Sequence, residues 1–136
     1  MKTSFKILYI EDDQDDIELL QDALKEQEVT CQMDVITDGQ HAVEHLSKIN
    51  THPDIIILDL NLPKVHGRDV LKYIKNNEAI QHLPVLILTT SNHLSDITEA
   101  YKNGAVKYLP KPSSVTAIRN TVETIIHLVN SATAVS

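Results

Sequence analysis

Short aliphatic runs alternate with longer stretches of helical spacing along nearly the whole chain. Ile7 to Ile10 is the first continuous apolar run, of strand length. Residues 15 to 27 then place Ile17, Leu20 and Leu24 on one face of a helix. Met33 to Ile36 predicts a second, weaker strand, and residues 39 to 49 a helix carrying Ala42, Val43, Leu46 and Ile49. Ile55 to Leu58 is aliphatic throughout, as in a strand covered on both faces. Residues 66 to 76 bring Val70, Leu71 and Ile74 to helical spacing. Val85 to Leu88 predicts a fourth strand, and residues 94 to 102 a fourth helix closed by Asn103-Gly104. Val106 to Leu109 is the fifth strand. Residues 114 to 129 form the last helix, with Val115, Ile118, Val122, Ile125 and Val129 along it.

Strand and helix therefore alternate five times, with no linker and no low-complexity segment between them. That order predicts an α/β fold, (βα)5, with a doubly wound parallel five-stranded sheet and helices on both faces. The length suits one domain spanning 1–136, with a core from about 6 to 129 and a small, polar tail at 130–136 expected to fray.

Composition narrows the function. There is no Trp and only one Phe, so the core is aliphatic. Nineteen carboxylates against 12 Lys and Arg leave a net charge of −7. Nucleic-acid binding rests on cations that neutralise phosphates, so this balance argues against it. No apolar stretch approaches the length of a membrane span. Cys31 is the single cysteine, which rules out an internal disulfide. The first apolar run ends in a block of acids and does not read as a signal peptide. A soluble cytoplasmic protein is the expectation.

Ligands of open parallel sheets gather at the carboxyl ends of the strands. The residues there are Glu11, Asp12 and Asp13 after the first strand, Asp59 after the third, Thr89 and Thr90 after the fourth, and Lys111 after the fifth. Clustered carboxylates repel one another unless a hard cation sits among them, and oxygen ligands of this kind suit Mg²⁺. A carboxylate can serve as nucleophile and form an aspartyl phosphate. A lysine and a metal can clamp phosphoryl oxygens, and a threonine hydroxyl can hydrogen-bond them. Each residue alone has an ordinary use as well. Asp15 and Asp16 suit the first turn of a helix through its dipole. Asp12 or Asp13 suits an N-cap. A lone Lys-Pro is usually a turn. Their joint occurrence at matching strand ends favours the chemical reading.

Four segments carry a family resemblance: Ile-Glu-Asp-Asp at 10 to 13, Leu-Asp-Leu-Asn-Leu-Pro at 58 to 63 with Gly67, Leu-Thr-Thr-Ser at 88 to 91, and Tyr-Leu-Pro-Lys-Pro at 108 to 112. In order and spacing they resemble the receiver domains of two-component response regulators. The resemblance runs from about Lys6 to Val129. It implies the flavodoxin-like strand order 2-1-3-4-5. It implies Asp59 as phosphoacceptor, Asp12 as direct Mg²⁺ ligand, Glu11 acting through water or at the edge of the site, and Asn61 lending its backbone carbonyl. Lys111 would bridge to the phosphoryl oxygens, and the Lys111–Pro112 bond would be cis. Thr89 would move toward the phosphate and Tyr108 would turn inward, altering the surface of the fourth helix, fifth strand and last helix. The implied partners are a sensor histidine kinase or phosphotransfer protein and a downstream protein target.

Within the family, the Glu-Asp-Asp start and the length are similar to the stand-alone regulators of bacterial phytochromes. That subgroup suggests a homodimer through the last-helix face; the competing reading is that the apolar stripe there packs on the sheet. Some positions depart from the common pattern, among them Glu11 for a first Asp and Thr90 beside Thr89. Asn61 and Ser91 flank the approach of a hydrolytic water. His41 and His45 sit four apart on a helix, a thin basis for a metal site. His66 lies in the loop after Asp59, and Tyr73 and Tyr101 read as packing residues. A phosphatase of the haloacid dehalogenase type would need an acid where Asn61 stands. A phosphorylation-independent docking module is the remaining alternative. The expectation is a signalling switch rather than a turnover enzyme.

Overall fold

The computed structural model describes residues 4–48 and 52–135, with side chains described as far as Ser131. The strands are β1 (Ser4–Ile10), β2 (Thr30–Ile36), β3 (Ile55–Leu58), β4 (Val85–Thr89) and β5 (Lys107–Pro110). The helices are α1 (Gln14–Glu26), α2 (Gly39–Lys48), α3 (Gly67–Lys75), α4 (Leu94–Lys102) and α5 (Val115–Val135). All neighbouring strands pair in parallel, in the order β2-β1-β3-β4-β5.

The period-2 alternation of a strand splits its side chains between two layers. Leu8, Ile10, Ile56, Leu58, Val85 and Ile87 face one way and pack with Ala42, Leu46, Val70, Leu71, Ile74 and Ala100 from α2, α3 and α4. Ile7, Tyr9, Ile55, Ile57, Leu86 and Leu88 face the other way, onto Ile17, Leu20 and Leu24 of α1 and Ile118, Val122, Ile125 and Val129 of α5. The central strands β3 and β4 are buried along their whole length. Each fully buried aliphatic side chain stabilises the fold by roughly 1.5–3 kcal/mol.

The α5 stripe is thus largely occupied by the sheet. Of the five expected positions only Val115 is exposed, at 69%. The helix also continues through Val135, beyond the expected end at residue 129. Ile49, expected on α2, lies outside the described residues. Val106 precedes β5 rather than opening it and is exposed. Tyr73 packs on the core, but Tyr101 is exposed and uses its hydroxyl to accept a hydrogen bond from the Tyr108 N–H.

Local signals terminate the helices where they should. Asp13 is the N-cap of α1, its carboxylate accepting from the N–H groups of Asp15 and Asp16. Gly104 follows α4 with φ of 101°, a conformation a side chain would strain. No described helix is long and apolar enough to cross a membrane.

Candidate functional site

Backbone hydrogen bonds carry the sheet one residue past its strands and so place the candidate side chains. The Glu11 N–H donates to the Ile36 carbonyl at 2.9 Å, and the Asp59 N–H to the Ile10 carbonyl at 3.1 Å. The Lys111 N–H donates to the Thr89 carbonyl at 2.9 Å. Gly67 lets the start of α3 press on this edge. A Cβ there would lie 2.1 Å from the Asp59 carbonyl oxygen, where only glycine fits. His66 caps α3, its ring accepting from the Arg68 N–H at 3.0 Å.

The strand-end acids converge. Glu11, Asp12 and Asp59 each offer an oxygen to a cluster in which all lie within 4.8 Å of one another. Glu11 and Asp59 are buried and Asp12 is exposed, so the cluster is open on the Asp12 side. Glu11 is fully enclosed. Its Oε2 accepts from the N–H groups of Asp12 and Asp13 at 3.0 and 3.2 Å. Its Oε1 lies 2.7 Å from Lys111 Nζ in an ion pair whose donor is poorly aligned on it. A buried carboxylate oxygen with unused lone pairs, beside two further carboxylates, fits a hard divalent cation.

Lys111 Nζ also lies 3.3 Å from Asp59 Oδ2 and donates to Asp16 Oδ2 at 2.7 Å. Asp59 Oδ1 accepts from the Asn61 N–H at 3.2 Å, and the Asn61 side chain reaches outward to the Thr90 hydroxyl at 3.4 Å. Burial, and the charge of Asp59 beside it, push the Glu11 carboxyl up to about 7 against the opposing pull of Lys111 and the Asp13 N–H. Burial alone would lower Lys111, but its contacts with Asp16 and Glu11, together with Asp59, hold it well above the ordinary lysine range.

Thr89 is buried, and its hydroxyl accepts from the Ser91 N–H at 3.4 Å. Ser91 is a junction. Its carbonyl accepts from the Tyr108 hydroxyl at 2.9 Å, and its own hydroxyl donates to Asp96 of α4 at 2.5 Å. Tyr108 is therefore already half-buried and tethered.

Two expectations need correction. The Lys111–Pro112 bond is trans, since the described residues contain no cis peptide. The cis–trans difference at an X-Pro bond is small, and the trans form already brings Lys111 Nζ to Glu11, Asp16 and Asp59. Asp16 does more than complement a helix dipole, because its carboxylate binds Lys111. No sequence spacing marks that pair, whose members stand 95 residues apart. His41 pairs with the Asp38 carboxylate that precedes α2. A broad groove of about 900 Å³ opens at the opposite sheet edge, between Leu83, Pro84, Val106 and Leu128, and takes no part in this chemistry.

Comparison with known proteins agrees with this geometry. The response regulator receiver domain family matches residues 7–123. The probable methanogenesis regulatory protein FilR2 of Methanothrix harundinacea is 36% identical over 125 residues, spanning 89% of this chain and 81% of that one. Response regulator Rcp1 of Synechocystis sp. is 36% identical over 110 residues, spanning 77% of this chain and 75% of Rcp1. The crystal structure of Rcp1 in its Mn²⁺-bound form superposes with a TM-score of 0.80 at 33% identity, covering 89% of this chain and 91% of that one. The phosphorylated cyanobacterial phytochrome response regulator RcpA superposes with a TM-score of 0.84 at 33% identity, covering 94% and 95% of the two chains. With the sheet order, the carboxylate cluster and the strand-end lysine in place, the chain belongs to the response regulator receiver domain family.

Proposed function

We propose that this receiver domain is a phosphorylation switch in which Asp59 accepts one phosphoryl group from a histidine kinase or a phosphotransfer protein. The observation that carries the reading is the buried Asp59 carboxylate, with Lys111 Nζ 3.3 Å from one oxygen and the Glu11 and Asp12 oxygens beside it. An Asp59 oxygen attacks the donor phosphorus, a P–O bond forms, and the donor's bond to phosphorus breaks with its electrons leaving on the donor. Lys111 supplies a positive charge to the oxygens in transfer. Glu11, Asp12, Asp59 and the Asn61 carbonyl are the residues that would hold Mg²⁺, which when bound neutralises charge on the phosphoryl oxygens. The Asn61 N–H on Asp59 Oδ1 orients the nucleophile.

The readout runs through Thr89. Its hydroxyl is the one polar side-chain group on β4, and bonding a phosphoryl oxygen with it competes with its Ser91 N–H partner. Ser91 in turn holds Tyr108 and Asp96. Phosphorylation would then loosen one end of α4 and change the α4–β5–α5 surface offered to a downstream protein, as a shift between two states. Leu94, Tyr101, Val106 and Val115 are the large exposed apolar side chains of that region and are open to a partner, whereas the α5 stripe is buried. The likeness to RcpA makes a phytochrome-type sensor kinase the first donor to try. The protein acts as a self-modifying switch, not a turnover enzyme.

Incubation with Mg²⁺ and phosphoramidate should add one phosphoryl group by mass spectrometry, absent in Asp59→Asn. A protein that takes up no phosphoryl group, or a group that persists in Asp59→Asn, overturns the reading.

A further inference from the structure

Lys111 has a partner that the switch described above does not require. Its ammonium donates an aligned hydrogen bond to Asp16 Oδ2 at 2.7 Å. Glu11 Oε1 is equally near but unaligned, and Asp59 Oδ2 is farther, at 3.3 Å. The aligned hydrogen bond of Lys111 therefore goes to Asp16 and not to the phosphoacceptor.

The local fold places Asp16 there. Asp13 caps α1 by accepting from the N–H groups of Asp15 and Asp16 at 2.9 and 3.2 Å. That cap fixes the first helical turn, from which the Asp16 carboxylate reaches Lys111, the residue after β5. Helix-dipole stabilisation alone would not select this direction, since any carboxylate in the first turn supplies it. Asp15, one residue earlier, stays exposed, whereas Asp16 is partly buried. The Lys111 side chain is 13% exposed and that of Asp16 is 29% exposed, so the pair is partly shielded from solvent.

We infer that Asp16 is a positioning residue for the phosphoryl site, holding Lys111 in competition with the phosphoryl oxygens. The inference rests on the reading of Asp59 as phosphoacceptor. Around Lys111 stand the carboxylates of Glu11, Asp16 and Asp59, and Asp12 completes the acid cluster. A phosphoryl group adds negative charge to an already anionic site. Lys111 has three N–H donors, but the one held by Asp16 and the charge shared with it are drawn from what a phosphoryl group could use. The carboxylate of Asp16 thus sets how strongly a phosphoryl group is retained, by both hydrogen-bond competition and repulsion.

Beryllofluoride, a phosphoryl mimic that is not turned over, tests this at equilibrium. In the presence of Mg²⁺, the concentration for half occupancy, read by fluorine NMR, should fall about three- to tenfold in Asp16→Asn, the scale of one partly exposed charged pair. Asp16→Ala should move the same way, and Asp16→Glu, which keeps a carboxylate, should stay near wild type. Asp22→Asn removes the same charge from an exposed position of α1 and should change little. Unchanged or weaker binding in Asp16→Asn and Asp16→Ala overturns the inference. So does a gain in Asp22→Asn equal to that in Asp16→Asn, which would make the effect a general field of α1, or an equal gain in Asp16→Glu. If the wild type binds no beryllofluoride, the phosphoacceptor reading itself fails and this inference falls with it.

Discussion

The hydroxyl of Tyr108 donates to the carbonyl of Ser91 at 2.9 Å, joining β5 to the loop that leads from the site into α4. The bond is partly buried, and Ser91 is also tied to Thr89 and Asp96. Tyr108→Phe keeps the ring and removes only this bond. It should cost about 1 kcal/mol in urea unfolding. Amide exchange at residues of the Ser91 loop should quicken while β3 stays protected. Equal exchange in both proteins would show that the tether does not order the loop.

Glu11 makes stability depend on pH in a definite direction. Its carboxyl is raised from an ordinary 4.5 to about 7 in the fold. Between those values the folded protein keeps a proton that the unfolded chain has lost. Stability contributed at this site is therefore present at low pH, falls as pH rises through the window, and levels off above about pH 7. The amount is of order 1–3 kcal/mol. Glu11→Gln cannot ionise, so in metal-free buffer it should gain on the wild type between about pH 5 and pH 8. A difference in urea midpoint that is the same at both pH values contradicts this account.

A divalent cation should reverse that penalty. Carboxylates that repel one another in the folded protein become ligands when Mg²⁺ binds. Thermal unfolding of the wild type should shift upward with Mg²⁺, by an equivalent of about 2.7 kcal/mol at a hundredfold excess over the dissociation constant. Asp12→Asn should shorten that shift markedly. It should leave the metal-free protein at least as stable as wild type, because one of three clustered charges is gone. A full Mg²⁺ shift in Asp12→Asn would place the cation elsewhere.

Gly67 should tolerate no side chain. A Cβ would meet the Asp59 carbonyl oxygen at 2.1 Å and the Leu60 Cα at 2.6 Å, both backbone atoms of the loop that carries the nucleophile. Gly67→Ala should destabilise the fold by about 1–3 kcal/mol. It should also slow phosphoryl uptake on Asp59, since the loop must move to make room. Uptake at the wild-type rate would mean that α3 shifts instead of the loop.

Much of this protein is legible in its sequence. Four consecutive aliphatics at Ile55 to Leu58 are what a strand hidden on both faces requires, and the alternation of such runs with helical spacing points to a layered α/β fold. Once strands and helices alternate, the residue after each strand is bound to one sheet edge. Asp59, Glu11, Thr89 and Lys111 stand on that ground; the side chains of Glu11, Asp59 and Lys111 meet there, and Thr89 joins them through its backbone carbonyl.

What remained hidden involves orientation between elements distant in sequence. Asp16 and Lys111 are 95 residues apart, and only the packing of α1 across β1 brings the carboxylate over the strand-end ammonium. The full burial of Glu11 depends on the β1–β2 and β1–β3 ladders running to the edge of the sheet, which no local pattern records. The α5 stripe could have faced the sheet or another chain, and the core cluster decided it for Ile118, Val122, Ile125 and Val129. Periodicity along the chain determines which residues share a face and which end of a strand they occupy. What that face meets, and which charges then lie close enough to bind one another, is decided only when the layers pack.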